Sequence, residues 1–531
     1  MKRNNFFFWI GVFLPIFAIL NILYFDIQII AGPDTLQVLY IPDDAYYYLN
    51  LARNFTHFHT WTFDSGISKT TGFHLLYAYI LAFFYEVFQP TTGTFVVIAL
   101  VVCSVTTIVV SLYAIWLGIK NKDGYFLLSL AIVISSFNFV SNSISGVEWP
   151  FVVLIAALFC GTLYNGLANK HLGTTLFVLG LLGSLARSDF VLLPASFFVA
   201  TVCIWVYKKD KALLFKAFMG VIGAVGGIIV LLFHNYWFTG SWMQSSAIIK
   251  LHWAKYLSVS WLQTLSTALT LVGGSKHGLS LTLLLVSFLP LTCIILLHIT
   301  SRIVNRRHNV NPDRVVVLAS PSRGTIFVLA AIFIWCGYLI LYQFNADVQW
   351  WYTANFVVPT CILITGLGHY LEEKVTKTPA IAFLLLALPA FLIYQTNIQA
   401  LYPIGFSKSL WPHQQANLAA GKYLYEHPVK GNIAAWNAGI IGYYQGGNVI
   451  NIDGLVNNDV YPYIVSNSLP TYIYAKNVTY IIDSQSMLEI RYRVRGGYNV
   501  PDFVQKLVPI KVFETGDNLF WKPLTLYLIQ K

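Results

Sequence analysis

Charged residues are scarce in this sequence: Asp, Glu, Lys and Arg make up only 10% of its 531 residues. A soluble protein carries roughly 25%. Hydrophobic residues make up 57%, and several apolar runs reach the roughly 20 residues that a helix needs to cross a bilayer. The composition therefore excludes an ordinary soluble domain and predicts a polytopic α-helical membrane protein.

Cysteine is also rare, and its placement excludes two kinds of site. All six cysteines fall in apolar runs, and none lies beyond Cys361. This placement excludes a disulfide framework and a cysteine-based metal site. The sequence also lacks a Walker-type phosphate loop, a dinucleotide fingerprint and a CxxC pair. Much of the net charge of +11 sits in short loops beside apolar runs, so no nucleic-acid partner is needed to explain it.

The charged loops predict how the chain crosses the membrane, because Lys and Arg concentrate on the cytoplasmic side. Lys2 and Arg3 precede the first apolar run, which lacks a small-residue cleavage site, so the N-terminus is predicted to be cytoplasmic and the run to be a retained helix. Eleven spans then alternate with basic loops, over residues 6–25, 94–119, 124–142, 150–168, 172–187, 189–207, 212–236, 278–300, 324–343, 352–370 and 378–397.

Two further segments, 73–89 and 259–273, are apolar but short. We expect interfacial or re-entrant helices there, which are tolerated where protein buries them. If both cross the membrane, the number of spans rises to thirteen. Residues 1–397 thus form a membrane module with a long outer loop over 26–93. Residues 398–531 are predicted to form an extracytoplasmic α/β domain, because turn signals there separate short apolar runs and helix-like stretches.

The first outer loop contains an adjacent acid pair, Asp43-Asp44, directly after Pro42. A proline followed by two acids is typical of a helix start, and helical spacing from Asp44 places Tyr47, Tyr48 and Leu51 on one face. The pair is either an acidic helix cap or a functional centre. Two adjacent carboxylates can hold a divalent cation or raise each other's pKa, and a carboxylate can deprotonate an acceptor hydroxyl.

Other polar residues in the outer loops are candidates for binding a substrate. Lys69 and His74 flank a Thr-Gly turn, whereas His57 and His59 are expected to be solvated. Glu148 lies in a turn between two spans, where an acid is costly unless it is paired or functional.

A second group of candidates lies further along the chain. Arg187 and Asp189 form either a structural ion pair or part of a site. Lys250, near His252, departs from the positive-inside trend and either meets a phosphate or extends along the membrane interface. Trp351 belongs to an aromatic cluster that is typical of an interfacial belt but also suits a sugar or a prenyl chain.

Taken in order, these segments resemble bacterial GT-C-fold glycosyltransferases, and most closely their arabinofuranosyl- and mannosyltransferase-like branch. The likeness rests on residues 43–54, 71–74, 145–148, 186–189 and 235–250, and on Trp436 to Tyr443 and Asn451 to Asn457 in the tail. One departure is Asn437, where the family pattern often has an acid. Any role of that acid is in doubt in this chain.

The resemblance implies a polyprenyl-phosphate sugar as donor, inversion at the anomeric carbon, a first-loop acid as general base and a membrane groove for the prenyl chain. Lys250 and Arg187 would hold the departing phosphate. The acceptor would be an envelope glycan, a lipid or another molecule at the outer face of the bacterial inner membrane. A divalent cation at Asp43 and Asp44 stays open, since some relatives use one. The alternatives are a transporter or lipid flippase, and a non-catalytic assembly protein whose tail binds a glycan or a partner.

Overall fold

The computed structural model describes residues 4–165, 170–208, 211–256, 323–344, 349–372, 381, 386, 410–489, 493–500, 502–514 and 523–530. The predicted span 278–300 and the segment 259–273 lie outside these residues. The predicted span 378–397 lies outside them as well, apart from residues 381 and 386, and so does the boundary at 397/398 between the predicted domains.

The membrane module is a bundle of helices. Its helices are α1 (Asn4–Ile30), α2 (Asp34–Tyr40), α3 (Asp43–Phe58), α4 (Leu75–Phe88), α5 (Thr92–Asn121), α6 (Gly124–Ile134), α7 (Phe137–Ser143), α8 (Trp149–Asn165), α9 (Leu172–Ala186), α10 (Leu192–Lys208), α11 (Lys211–Thr239), α12 (Ser245–Trp253), α13 (Arg323–Gln343) and α14 (Ala354–Tyr370). Short 3-10 helices cover Ser188–Val191 and Trp350–Thr353. Six helices of the described part are long and apolar enough to cross a membrane, which confirms the polytopic class.

One predicted span needs correction. Residues 124–142 do not form a continuous helix, because α6 and α7 are bent by 67° at the break between them. Ser136 caps the second helix through its side chain, which accepts a hydrogen bond from the backbone of Phe139. The Ser136 side chain thus satisfies a backbone N–H that has no partner within the helix, as a bend within a membrane requires. Counted as one span, the bent pair raises the number in the described residues to seven.

Helices α9 and α11 pack at very short range because glycines line their contact. A Cβ atom on Gly223 would lie 1.9 Å from the carbonyl oxygen of Phe177, and one on Gly180 would lie 2.3 Å from that of Gly220. Small residues allow such close approach of helices in a membrane, where packing rather than hydrophobic burial drives association. This contact fixes the position of Arg187, which follows α9 directly.

The first loop is folded against the end of the bundle. Helix α3 begins at Asp43 after an extended Pro42, as predicted. It ends at Phe58, and the next residue, His59, has a left-handed backbone conformation. Helix α4 covers the segment 73–89, and its 14 residues are too few for a helix to cross the bilayer. The Tyr48 ring contacts the Tyr77 ring edge-on, which packs α3 against α4.

The C-terminal domain is a small mixed sheet with helices. It contains a helix Gln414–Glu426, β1 (Asn432–Ala435), a helix Ala438–Gln445, β2 (Val449–Asn451), helices Tyr461–Val465 and Leu469–Ala475, β3 (Val478–Ser484), a short helix Gln485–Leu488, β4 (Leu507–Phe513) and β5 (Leu524–Ile529). The strand order is β2-β1-β3-β5-β4. Strand β1 is parallel to β2 and β3, whereas β5 is antiparallel to β3 and β4. The carboxyl ends of parallel strands are where α/β domains usually present functional groups.

Candidate active site

A small polar cavity lies where the first loop, the helix bundle and the C-terminal domain meet. Its volume is about 60 Å³. The described residues that line it come from six separate segments: Asp44, Tyr47, Tyr48, Leu51, Gly72, Phe73, His74, Val147, Glu148, Ser246, Lys250, Trp351, Tyr352 and Leu455. The shared helix face of Asp44, Tyr47, Tyr48 and Leu51 that the sequence predicts therefore forms one wall.

The two neighbouring acids have different surroundings. Asp44 lines the cavity, whereas Asp43 accepts hydrogen bonds from the backbone of Gly439 at 3.0 Å and of Ile440 at 2.8 Å. Those two N–H groups belong to the first turn of the helix Ala438–Gln445, where a carboxylate is favoured by the helix dipole. Burial raises the pKa of Asp43 to about 7, and the hydrogen bond from Ile440 opposes that rise. Asp43 thus joins the two domains.

Lys250 is the cation that lines the cavity among the described residues. It lies near the end of α12, donates a hydrogen bond to the hydroxyl of Tyr352, and has its Nζ 4.8 Å from the centre of that ring. Lys250 is only 8% exposed. Lys250 thus places an amino group at the cavity wall beside the ring of Tyr352.

Glu148 is held in the cavity wall by three partners. Its carboxylate accepts a hydrogen bond from Arg187 at 2.7 Å and one from the hydroxyl of Tyr48 at 3.0 Å. The His74 ring lies 3.6 Å from it. Burial lowers the pKa of His74, although Glu148 opposes this effect, so the imidazole is neutral near pH 7. Glu148 is therefore paired, as an acid at this depth requires.

Arg187 and Asp189 support the cavity from behind, and neither side chain is among the described residues that line it. The Arg187 Nε donates to both carboxylate oxygens of Asp189 at 3.0 Å. Asp189 also accepts from Tyr342 at 2.6 Å and from Asn355 at 2.9 Å. Burial alone would lower the pKa of Arg187, but Asp189 and Glu148 raise it well above its usual range. The pair is a structural ion pair beneath the site.

Two predicted site residues lie elsewhere in the structure. The Lys69 side chain is exposed and does not reach the cavity, because the turn directs it outward while its carbonyl oxygen accepts a hydrogen bond from Asn458 at 3.1 Å. His252 follows Lys250 on α12 by two residues, which on a helix points it away from the cavity. It is buried against Tyr256 instead.

Trp351 is part of the cavity wall and not of an interfacial belt. The 3-10 helix Trp350–Thr353 turns its indole inward, where it is 6% exposed. The ring packs against Trp411 and edge-on against Tyr352. Because Trp411 comes from the segment that leads into the C-terminal domain, this aromatic contact also joins the two parts of the chain.

The C-terminal domain contributes residues that were not among the predicted site residues. Leu455 lines the cavity, and the buried carboxylate of Asp453 accepts a hydrogen bond from the Tyr47 hydroxyl at 2.7 Å. Burial raises the pKa of Asp453 to about 7, and the hydrogen bond from Tyr47 opposes this. The signal in the sequence is an Asp-Gly turn directly after a short apolar run, which corresponds to the carboxyl end of β2.

Asp43 does not suit a divalent cation, because backbone N–H groups occupy both of its carboxylate oxygens. Within the described ranges, no three His, Cys, Asp or Glu side chains form a group that could hold a metal ion. A divalent cation at Asp44 stays a prediction. A carboxylic acid and an amino group that line one cavity are suited to proton transfer beside a developing negative charge.

Among the comparisons with known proteins, the likeness to solved structures concerns the fold. A family described as a domain of unknown function (DUF8728) matches residues 408–521, and a comparison with curated proteins finds no match. The structure resembles ArnT from Cupriavidus metallidurans bound to undecaprenyl phosphate, with a TM-score of 0.55 and 11% identity over 96% of this chain and 97% of that one. The apo state of the same protein gives a TM-score of 0.51 and 10% identity, over 93% of each chain.

At this identity the likeness concerns the fold. It extends over nearly the whole of both chains, including the helix bundle and the C-terminal domain. The chain is therefore an integral membrane protein with the GT-C fold.

Proposed function

We propose that this protein is an inverting glycosyltransferase that moves a hexose or pentose from a polyprenyl-phosphate donor to an acceptor hydroxyl. The observation that carries the proposal is the cavity itself, which both Asp44 and Lys250 line at one end of the helix bundle. The similar ArnT structure is bound to undecaprenyl phosphate, which supports a lipid-linked donor. The sequence resemblance makes arabinofuranose and mannose the first donor sugars to test.

In the proposed reaction, the carboxylate of Asp44 takes the proton of the acceptor hydroxyl. The acceptor oxygen attacks the anomeric carbon and forms the new glycosidic bond. The bond between that carbon and the phosphate oxygen breaks, and its electron pair leaves with the polyprenyl phosphate. A single displacement inverts the anomeric carbon. The ammonium of Lys250 stabilises the charge that develops on the phosphate.

Asp44 is the better choice for the base because the surroundings of the two acids differ. Both carboxylate oxygens of Asp43 accept backbone hydrogen bonds from the C-terminal domain, so Asp43 has a structural task already. Asp44 lines the cavity together with Lys250. Arg187 forms ion pairs with Glu148 and Asp189 behind the cavity, whereas Lys250 lines the cavity. Lys250 is therefore the proposed phosphate ligand.

We propose that the cavity faces the outside of the bacterial inner membrane and that the N-terminus is cytoplasmic. Lys120 lies in the last turn of α5, whereas the carbonyl oxygen of Thr92 at the other end accepts a hydrogen bond from Tyr443 of the C-terminal domain. The basic loop and the C-terminal domain thus lie at opposite ends of this helix. The positive-inside rule then supports an outer location for the cavity. An envelope glycan or a lipid at that face is the proposed acceptor.

A direct test incubates the purified protein with labelled polyprenyl-phosphate sugars and follows transfer to envelope extracts and release of the lipid phosphate. We expect turnover of at least one donor by the wild type and none by Asp44→Asn. Lys69→Met is the matched control, since Lys69 is exposed in the same loop, and it should remain active. Flipping of the donor in vesicles without sugar transfer would instead favour a flippase.

A further inference from the structure

The C-terminal domain forms part of the cavity wall through a very close approach of two backbones. A Cβ atom on Gly72 would lie only 1.6 Å from the carbonyl oxygen of Leu455. The same carbonyl accepts a hydrogen bond from Ser245 at 3.0 Å. The first loop, α12 and the C-terminal domain therefore meet at Leu455, with no space between them for a side chain on Gly72. The cavity is incomplete without the C-terminal domain.

Two residues before Leu455, Asp453 makes a buried link to the first loop. Its Oδ2 accepts the Tyr47 hydroxyl at 2.7 Å, and its Oδ1 accepts the backbone N–H of Leu455 at 2.7 Å. Asn451 also donates to the Tyr47 hydroxyl, at 3.3 Å. Asp453 is 1% exposed. A buried carboxylate destabilises the folded protein unless it is hydrogen-bonded. Loss of the Tyr47 hydroxyl would therefore leave Asp453 with an unsatisfied oxygen.

Tyr47 lies one helical turn after Asp44, and the next residue carries a second link of the same kind. The Tyr48 hydroxyl donates to Glu148 at 3.0 Å, so it holds α3 against the membrane bundle. The Tyr47 hydroxyl holds the same turn against the C-terminal domain. Asp44 therefore lies on a helical turn that one tyrosine–carboxylate hydrogen bond ties to the C-terminal domain and another ties to the membrane bundle.

We propose that Asp453 is a positioning residue for sugar transfer: its hydrogen bond with Tyr47 sets the place of Asp44 in the cavity. The C-terminal domain is then an integral part of the active centre and not a separate binding module. This inference rests on the proposed function, since it assigns Asp453 a task in that reaction. The positioning role depends on the hydrogen bond that Asp453 accepts and not on its charge, because the Tyr47 hydroxyl needs an acceptor.

The physical reason is the sensitivity of the reaction to the place of the base. A displacement of about 1 Å at the reacting groups can lower a rate by about 100-fold. Without Asp453 as acceptor, the Tyr47 hydroxyl retains the longer hydrogen bond from Asn451 at 3.3 Å, and the first turn of α3 is tied less firmly to the C-terminal domain. Asp44 then samples more positions, which lowers kcat, while the contacts that Lys250 would make with the donor phosphate persist and KM changes little.

The test compares kcat and KM for the lipid donor in Asp453→Ala, Asp453→Asn, Tyr47→Phe and the double variant Tyr47→Phe/Asp453→Ala. We expect Asp453→Ala and Tyr47→Phe each to lower kcat by about 100-fold, and the double variant to lose no more than the worse single variant. Asp453→Asn should retain more of kcat than Asp453→Ala, because its amide oxygen still accepts the Tyr47 hydrogen bond, although its NH2 group cannot accept the backbone N–H of Leu455. Additive losses, or equal losses in Asp453→Ala and Asp453→Asn, would overturn the proposal.

Asp459→Ala is the matched control. Asp459 lies six residues after Asp453 in the same domain and forms an exposed ion pair with Lys476 at 3.0 Å. Its kcat should equal that of the wild type. If Asp453→Ala fails to fold, Tyr47→Phe and Asp453→Asn still decide the question, since a full kcat in Tyr47→Phe contradicts the proposed link.

Hydrogen–deuterium exchange of the peptide that covers the first turns of α3 gives a readout without turnover. Exchange of these amides should rise in Tyr47→Phe and Asp453→Ala and stay unchanged in Asp459→Ala. Unchanged exchange in all three variants would refute the positioning role, even if the wild type transfers sugar. A wild type that transfers no sugar, with exchange raised as expected, would refute the proposed reaction and leave the structural link standing.

Discussion

The carboxylate of Asp43 lies 3.0 Å from the backbone nitrogen of Gly439, although 396 residues separate the two in the chain. Through this contact the first turn of α3 caps the helix Ala438–Gln445 of the C-terminal domain. The neighbouring Asp44 lines the cavity. The two acids are adjacent in the sequence but have different positions in the structure. Asp43 joins the first loop to the C-terminal domain, and Asp44 lines the cavity.

Gly439→Ala should loosen the joint between the domains. A Cβ atom at this position would lie 2.3 Å from the carbonyl oxygen of Asp43 and 2.7 Å from its carboxylate, so the helix and the loop have to separate. We expect a fall of several degrees in the thermal unfolding midpoint of the purified protein, with faster cleavage by protease between the domains. Gly93→Ala is the control, since its Cβ meets only Asp34 at 3.8 Å. Equal stability of both variants would contradict this account of the joint.

Arg187→Met and Lys250→Met should fail in different ways. The first leaves the buried Glu148 and the partly buried Asp189 without their cation, and breaking a buried ion pair typically costs about 3–5 kcal/mol. The yield of folded protein and the unfolding midpoint should therefore fall. The second should leave the midpoint within a few degrees of the wild type but raise the inhibition constant of undecaprenyl phosphate by about tenfold or more. We propose that Arg187 supports the site and that Lys250 binds the phosphate. These roles are contradicted if Arg187→Met is as stable as the wild type and impaired only in phosphate binding.

The stability of the C-terminal domain should increase as the pH falls from about 8 towards 4. Burial raises the pKa of Asp483 from 3.8 to about 8, so the folded state holds a proton that the unfolded state releases in this range. The free energy of unfolding therefore rises as the pH falls through the pKa of the folded state. Asp43 and Asp453, each with a pKa raised to about 7, act in the same direction.

Thermal unfolding of Asp483→Asn at pH 8.5 and pH 5.5 checks this origin of the pH dependence. The difference between the two midpoints should be smaller than in the wild type, because the amide that replaces the carboxyl group has no proton to gain. Asp459→Asn, with its exposed ion pair, should keep the wild-type difference. A pH dependence that is the same in all three proteins would show that Asp483 does not contribute.

Local patterns in the sequence were enough to predict much of the membrane module and one wall of the cavity. Apolar runs predicted helices at nine positions where the described residues are helical. Six of the described helices are long and apolar enough to cross a membrane, or seven with the bent pair α6 and α7, whereas α8 and α9 are shorter than the predicted spans. Pro42 followed by two acids gave the start of α3. Helical spacing from Asp44 gave the shared face of Tyr47, Tyr48 and Leu51 that lines the cavity. These features depend on periods of a few residues, which a sequence carries directly.

The remaining features depend on contacts between distant segments. Adjacent residues on a helix point about 100° apart, so Asp43 and Asp44 have to face different surroundings. Which one faces the cavity depends on where the helix Ala438–Gln445 lies. The link from Tyr47 to Asp453 spans 406 residues, and the outward direction of Lys69 follows from a turn that packs on the C-terminal domain. No local pattern encodes these relationships.

The most direct test of the central claim is single-turnover transfer from a polyprenyl-phosphate sugar by Asp44→Asn and Asp43→Asn, each compared with the wild type. We expect Asp44→Asn to lose transfer by a factor of at least about 100 while it binds undecaprenyl phosphate and unfolds like the wild type. Asp43→Asn should be less stable and keep measurable transfer. Full transfer by folded Asp44→Asn, or loss of transfer only in Asp43→Asn, would contradict the assignment of Asp44 as the base.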